Sequence, residues 1–146
     1  MENKFKEAVC ATSDISGGFH NGLQALRNNA SKVIVSDTRK LDGSADIDSC
    51  TKALYPSESR WDYVIGYESA AYYLEVHPAS TGDVDTMLRK AVWLKNWLSA
   101  KAPILKCISK LPFYWVPSGN CKILKSSPQF RKLAKSNIRL VPNLQL

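Results

Sequence analysis

The sequence predicts an α/β fold in which a mixed central sheet is flanked by helices. Two adjacent segments, residues 60–67 and 71–78, are rich in aromatic and β-branched residues and predict a pair of strands. Residues 83–100 follow with apolar side chains at helical spacing, and further strands and a helix come after them. Strands interleaved with helices in this order indicate an α/β sandwich, with the strand pair at its centre.

The other elements are predicted from local spacing and from residues that begin helices. Asp46 is expected to cap a helix, since its carboxylate can accept the free N–H groups of the first turn. Ser80 or Thr81 is expected to cap the helix over 83–100, and Ser127-Pro128 opens another. Besides the three segments above, we predict helices over residues 3–11, 21–27, 46–54, 104–109 and 127–135, strands over 32–36, 113–116 and 138–141, and a loop over 37–44.

The strand pair can bring three polar side chains to one point of the sheet. Residues two apart on a strand share a face, so Glu75 and His77 lie on the same side. If the strands form a hairpin that turns at Glu68-Ser69, Asp62 lies opposite Glu75; a turn one residue later places it opposite His77. Carboxylates among core-like neighbours have little reason to point inward unless a cation meets them. The pattern therefore predicts a seat for a divalent metal, and with it phosphodiester chemistry.

Length and composition exclude several classes of protein. At 146 residues and 45% hydrophobic content, residues 1–146 are expected to form a single globular domain. No apolar run reaches the roughly 20 residues that a membrane span needs, and residues 1–7 lack the apolar core of a signal peptide. The 4 cysteines contain no Cys-x-x-Cys pair, which argues against a zinc knuckle and a dense disulfide framework. We expect a reduced, cytoplasmic protein without a membrane partner.

Charge is distributed very unevenly along the chain. Residues 1–85 hold all 13 acidic residues, whereas residues 86–146 hold 12 of the 20 lysines and arginines and no acid. Cations spread through a folded segment predict a basic face that suits a phosphate backbone. The alternative is a solubilising surface offset by the acidic half. The cations predicted to contact nucleic acid are Arg89, Lys90, Lys95, Arg131 and Lys132.

Taken together, these features resemble the restriction-endonuclease-like, PD-(D/E)XK nuclease superfamily. Asp62, after Trp61, stands where that family has the aspartate of its Pro-Asp, and Glu75-Val76-His77 stands where it has Glu-x-Lys. The helix over residues 83–100 matches the helix that follows the family's third strand in position and basic character. The resemblance implies a three-layer sandwich, with a mixed central sheet flanked by helices, over residues 3–141.

The resemblance also implies a set of site residues. Asp62, Glu75 and the backbone carbonyl of Val76 would hold Mg²⁺ or Mn²⁺, and Asp62, Glu75 and His77 would be the catalytic residues. His77 departs from the family pattern, because lysine is a permanent cation whereas histidine is often neutral and can accept a proton or ligate a metal. The change is compatible with a general base, with a preference for Mn²⁺, or with an inactive member that keeps only the fold.

Three functions remain open from the sequence. The first is divalent-metal-dependent phosphodiester hydrolysis of nucleic acid, DNA in preference to RNA. The second is a non-catalytic module of the same fold that binds nucleic acid or protein. The third is a subunit that pairs with another protein, including a second copy in a homodimer, through the strand over 113–116 or the helix flank bearing Trp93 and Trp97.

A few further polar and aromatic residues are expected to be structural. Asp46 and Asp48 could reach the site from a neighbouring loop, but the cap role is favoured for Asp46. Trp93 and Trp97 are expected to belong to the core and not to a base-stacking platform.

Overall fold

The computed structural model describes residues 2–146, and a five-stranded mixed sheet forms its centre. The strands are β1 (Val33–Ile34), β2 (Leu41–Asp46), β3 (Tyr63–Tyr67), β4 (Ala70–His77), β5 (Phe113–Pro117), β6 (Ile138–Leu140) and β7 (Leu144–Gln145). The helices are α1 (Lys4–Ala11), α2 (Ile47–Thr51), α3 (Val84–Lys101), α4 (Pro103–Cys107) and α5 (Pro128–Lys135), with 3₁₀ segments at Ser13–Ile15, Gln24–Lys32, Thr38–Lys40 and Thr81–Asp83. The sheet order is β2-β3-β4-β5-β6, antiparallel from β2 to β4 and parallel from β4 to β6.

The central hairpin has the first of the two predicted registers. β3 and β4 pair Tyr63 with Leu74, so that Asp62 and Glu75 are the next residues toward the open end of the hairpin. The turn is Glu68-Ser69, whose φ angles of 48° and 64° are both left-handed. A two-residue hairpin turn that matches the twist of its strands requires a left-handed conformation at both residues. Neither Glu68 nor Ser69 is the Asn or Gly that is usually found at such positions.

The first strand of the sheet lies later in the chain than predicted. Residues 41–46, mostly predicted as loop, form the edge strand β2. The predicted strand over 32–36 shrinks to β1, which pairs in parallel with β7 in a separate two-stranded sheet. Likewise, the helix predicted over 21–27 is replaced by the 3₁₀ segment over 24–32, which is interrupted at Arg27.

Both faces of the sheet are covered, but by different structures. One face forms a core with side chains from α1, α3, α4 and α5. The opposite face packs against the 3₁₀ segment over 24–32 and the β1–β7 pair. The chain is therefore an α/β fold with a mixed five-stranded sheet and helices packed against it. The side chains at the centre of the second core are Ala25, Leu26, Val33, Ile65, Leu74, Val116 and Leu144.

The predicted helix starts are confirmed at two places. Asp46 caps α2, accepting the Ser49 backbone N–H at 2.9 Å. Ser80 and Asp83 form a capping box before α3, with the Ser80 hydroxyl donating to the Asp83 carboxylate at 2.6 Å. Within residues 2–146, no helix is long and apolar enough to cross a lipid bilayer. The cysteines Cys10, Cys50, Cys107 and Cys121 are all free thiols.

Candidate functional site

Asp62 and Glu75 meet at the open end of the hairpin, each held by the backbone of the opposite strand. The Asp62 backbone N–H donates to Glu75 Oε1 at 3.0 Å, and the Val76 backbone N–H donates to Asp62 Oδ2 at 3.1 Å. Glu75 is only 1% exposed, between the apolar residues Leu74 and Val76. The register therefore fixes two carboxyl groups side by side, with Glu75 buried and Asp62 partly exposed.

The cation that meets Glu75 is Lys90, from the middle of α3. Its Nζ donates to Glu75 Oε2 at 2.7 Å, and the lysine side chain is 17% exposed. The sequence pattern assigns Lys90 to the nucleic-acid contacts and seeks the cation of the site at position 77. A signal for the observed position does exist, because Lys90 lies three residues after Met87 and four before Leu94, within the buried stripe of α3.

His77 is held by groups other than the carboxyl pair. Its Nδ1 lies 2.9 Å from the Pro78 carbonyl oxygen and 3.7 Å from Asp83 Oδ1. The imidazole also packs edge-on against Trp115, with ring centroids 6.4 Å apart. Within the described part of the chain, its hydrogen-bond and ion-pair contacts do not include Asp62 or Glu75. The structure thus brings Asp62, Glu75 and Lys90 together and leaves His77 at the start of α3.

The electrostatics of the pair follow from burial. Desolvation, and then the charge of Asp62, raise the pKa of Glu75 well above its usual range, against the opposing effect of Lys90. Desolvation also raises the pKa of Asp62, while the Lys90 charge and hydrogen bonds from the Glu75 carboxyl and the Val76 N–H oppose the rise. Two neighbouring carboxyl groups removed from water are stabilised when one of them is protonated or when positive charge lies close to them. Lys90 supplies one such positive charge at the site.

Asp48 and Arg60 border the carboxyl pair. The Asp62 carbonyl accepts the backbone N–H groups of Ile47 at 2.8 Å and Asp48 at 3.3 Å, which places the start of α2 beside the site. The Asp48 charge contributes to the raised pKa of Asp62. Arg60 Nε donates to Asp48 Oδ1 at 2.8 Å, so this third acid already has a cationic partner.

The oxygen atoms of Asp62, Glu75 and Val76 are of the kind that can bind a hard divalent cation, whose remaining ligands would be water or phosphate oxygens. Mg²⁺ is usually bound by one or two carboxylates together with waters and phosphate oxygens. Asp62 and Glu75 supply two adjacent carboxylates, and the Val76 carbonyl points toward the same strand edge as the Val76 N–H that bonds Asp62. Within residues 2–146, no three or more His, Cys, Asp or Glu side chains converge as a metal-ligand group. Asp62 and Glu75 are thus the two side chains at this place that could act as metal ligands.

The remaining predicted nucleic-acid contacts lie on α3 and α5, which pack against each other. Lys95 Nζ donates to the Ser136 carbonyl at 3.3 Å, which ties α3 to the end of α5. Within residues 2–146, none of these side chains forms an ion pair with an acid, so their charges face solvent. The exposed residues of this group are Arg89, Lys95, Arg131 and Lys132.

In comparisons with known proteins, the chain matches no protein-family model, no curated protein and no solved structure.

Proposed function

We propose that the chain is a divalent-metal-dependent phosphodiesterase acting on nucleic acid, built as a restriction-endonuclease-like three-layer sandwich. The observation that carries the proposal is the convergence of Asp62, Glu75 and Lys90, with Lys90 Nζ 2.7 Å from Glu75 Oε2. These are the three chemical groups of the PD-(D/E)XK signature, with the lysine contributed by α3 and not by position 77. The succession of three antiparallel strands, a helix and a parallel strand supports the same fold.

In this proposal Asp62, Glu75 and the Val76 carbonyl hold Mg²⁺ or Mn²⁺. Such an ion, when bound, polarises a phosphate and makes a coordinated water more acidic. Positive charge beside the two carboxyls would favour their ionised forms, because it offsets the cost of burial that raises the pKa of each. Lys90 holds Glu75 in place and presents an ammonium group to the negative charge that develops on the phosphate.

The experiment compares Lys90 and His77 as the side chain that supplies positive charge at the site. Glu75→Gln keeps the shape of the side chain and is expected to lower Mg²⁺- or Mn²⁺-dependent cleavage of labelled DNA and RNA by about a hundredfold or more. Lys90→Met is expected to cause a loss of similar size, whereas His77→Ala changes the rate only a few-fold. Glu68→Gln, on the exposed hairpin turn, is the matched control, and circular dichroism checks the fold of each variant. Wild-type protein that cuts neither nucleic acid with either metal would rule out the active enzyme.

A second function is favoured by one specific contact. Lys90 already pairs with Glu75 without a metal, so this contact is also compatible with a purely structural role. A non-catalytic module of the same fold would bind nucleic acid through the exposed cations of α3 and α5 without turnover. In that case Glu75→Gln and wild type bind a labelled strand equally, and no product forms with either metal.

A further inference from the structure

α3 presents a second face to a groove of about 640 Å³ beside the site. Side chains at three- and four-residue spacing form one wall of this groove, and the loop over residues 55–59 forms the other. Lys90 is excluded from the wall because it points toward the sheet. The residues that matter for recognition are Tyr55, Glu58, Arg89, Trp93, Trp97 and Lys101.

The floor of the groove is a rigid aromatic platform. The Trp93 and Trp97 rings are stacked, with centroids 5.6 Å apart and an interplanar angle of 12°. Tyr55 packs edge-on against Trp93 at 5.9 Å. The Asp14 carboxylate accepts the Tyr55 hydroxyl at 2.6 Å and the Trp97 indole N–H at 3.0 Å, which fixes both aromatic partners of Trp93. Trp97 is 4% exposed, whereas Trp93 is only partly buried, so Trp93 is the ring that a ligand can reach.

The chemistry of the groove selects a planar ring attached to an anion. Indole rings stack with nucleobases of every kind, and Trp93 is the partly exposed indole of the groove. Arg89 and Lys101 lie on the α3 wall, and Glu58 is the one acid among the lining residues, so the charge of the groove is positive. Val92, which also lines the groove, is 58% exposed and extends the apolar surface. A nucleotide satisfies both requirements.

The groove and the carboxyl site are connected through neighbouring residues on α3 and on the loop over 55–59. Trp93 follows Lys90 by three residues, an advance of about 4.5 Å along the helix. On the other wall, the loop over 55–59 runs into Arg60, whose guanidinium donates to the Tyr55 carbonyl at 2.7 Å and to Asp48 at 2.8 Å. Asp48 in turn borders Asp62. One nucleic-acid strand can therefore span both places.

From this connection we propose that the groove binds an unpaired base of the strand whose backbone crosses the Asp62–Glu75–Lys90 site. Bases within a duplex are stacked and paired, and they must leave the stack to reach a side-chain pocket. The substrate class is thus single-stranded nucleic acid, or a junction with unpaired nucleotides. The path of the strand rests on the proposed function, but the capture of the base can be measured without any cleavage.

The test measures binding in the absence of divalent metal, by fluorescence anisotropy of labelled oligonucleotides of equal length. Wild type is expected to bind oligothymidylate about tenfold tighter than an abasic strand with the same phosphates, and tighter than a duplex. Trp93→Leu is expected to remove the preference for bases, and Trp93→Phe to retain most of it. Arg89→Ala is expected to weaken binding of both strands by the same factor, because it removes charge and not stacking. Circular dichroism checks that each variant is folded.

Equal binding of thymidylate and abasic strands by wild type overturns the inference, as does a folded Trp93→Leu protein that keeps the preference. Binding of thymidine monophosphate alone, without preference for the base-bearing strand, assigns the groove to a free nucleotide and also overturns it. A clear base preference with no cleavage in Mg²⁺ or Mn²⁺ supports the inference and removes the proposed catalytic function. If wild type and Trp93→Leu cleave nucleic acid equally well, and the thymidylate and abasic strands bind equally, the proposed catalytic function is supported and the inference about the groove is overturned.

Discussion

Lys90 shows how one buried side chain sets the charge balance of a whole site. A carboxylate taken out of water without a partner costs several kcal/mol, and removing one member of a buried pair commonly costs about 3–5 kcal/mol. With Lys90 Nζ 2.7 Å from Glu75, one of the two carboxylates is neutralised in the folded protein. The Lys90 charge also opposes the rise that burial causes in the pKa of Asp62, so one ammonium group acts on both carboxyls.

The raised pKa of Glu75 makes stability dependent on pH. The folded protein binds a proton at this position more tightly than the unfolded chain does, so the contribution of Glu75 to stability is complete below the ordinary value of 4.5 and is lost as pH rises through the raised pKa. Glu75→Gln removes this group and is expected to reduce the slope of the unfolding free energy against pH. The measurement is guanidinium unfolding at a series of pH values.

Tyr73→Phe is the control for this pH experiment. The Tyr73 hydroxyl is buried on the same sheet face and bonds Ser109 at 2.7 Å, and burial raises its pKa further from the range tested. Its loss is expected to lower stability by about 1 kcal/mol at every pH alike. If the curves of wild type and Glu75→Gln run parallel, the raised pKa of Glu75 is not present in solution.

At the scale of elements, the predictable parts are those whose pattern is local. The hairpin follows from alternation, and α3 follows from apolar spacing and its capping residues. β2 could not be predicted, because Leu41-Asp-Gly-Ser-Ala-Asp46 lacks β-branched and aromatic residues and becomes a strand only by pairing with β3. The contact of Lys90 with Glu75 could not be predicted for a similar reason, since a lysine on a basic helix gives no sign of its tertiary neighbour.

The hairpin turn offers a test of backbone strain in one element. Ser69 has a φ of 64°, where a side chain is disfavoured and glycine is not. Ser69→Gly keeps the backbone N–H that bonds Asp42 at 2.7 Å and is expected to raise the unfolding free energy by up to about 1 kcal/mol. Thermal and denaturant unfolding measure the change.

The control for the turn is an exposed serine with ordinary backbone geometry. Ser57 does not have a positive φ, so glycine there only adds freedom to the unfolded chain and is expected to be neutral or destabilising. A Ser69→Gly protein no more stable than Ser57→Gly would show that the turn is relaxed as it stands.

At the scale of the whole molecule, the two oppositely charged halves of the chain are joined through the sheet. The acidic half contributes β2 to β4, whereas the basic half contributes β5, β6 and most of α3 and α5. α3 and α5 pack on the same side of the sheet as the carboxyl pair and leave their unpaired cations in solvent. The proposed strand would follow this side, where phosphate charge is attracted before any base is recognised.

Such binding is expected to weaken steeply with salt. Each phosphate neutralised on a single strand contributes a slope of about −0.7 to the logarithmic plot of affinity against salt concentration. Replacing Arg131 and Lys132 together with alanine is expected to make the slope shallower by about 1.4. Lys52→Ala, an exposed cation of the acidic half, is the control and should leave the slope unchanged. Affinity that does not vary with salt would exclude the basic side as a phosphate-binding surface.

The β1–β7 pair imposes an order on how the chain matures. Val33 pairs with Leu144, and the Leu146 N–H donates to the Ile34 carbonyl at 2.8 Å, across a separation on the order of a hundred residues. Contacts of such high sequence separation form late, because the loop between them must close first. During synthesis, the hairpin and α3 can assemble while residues 144–146 are still inside the ribosome. Until those residues emerge, the sheet face bearing Ile65 and Leu74 lacks part of its cover, so the nascent chain exposes apolar strand surface that the finished fold buries.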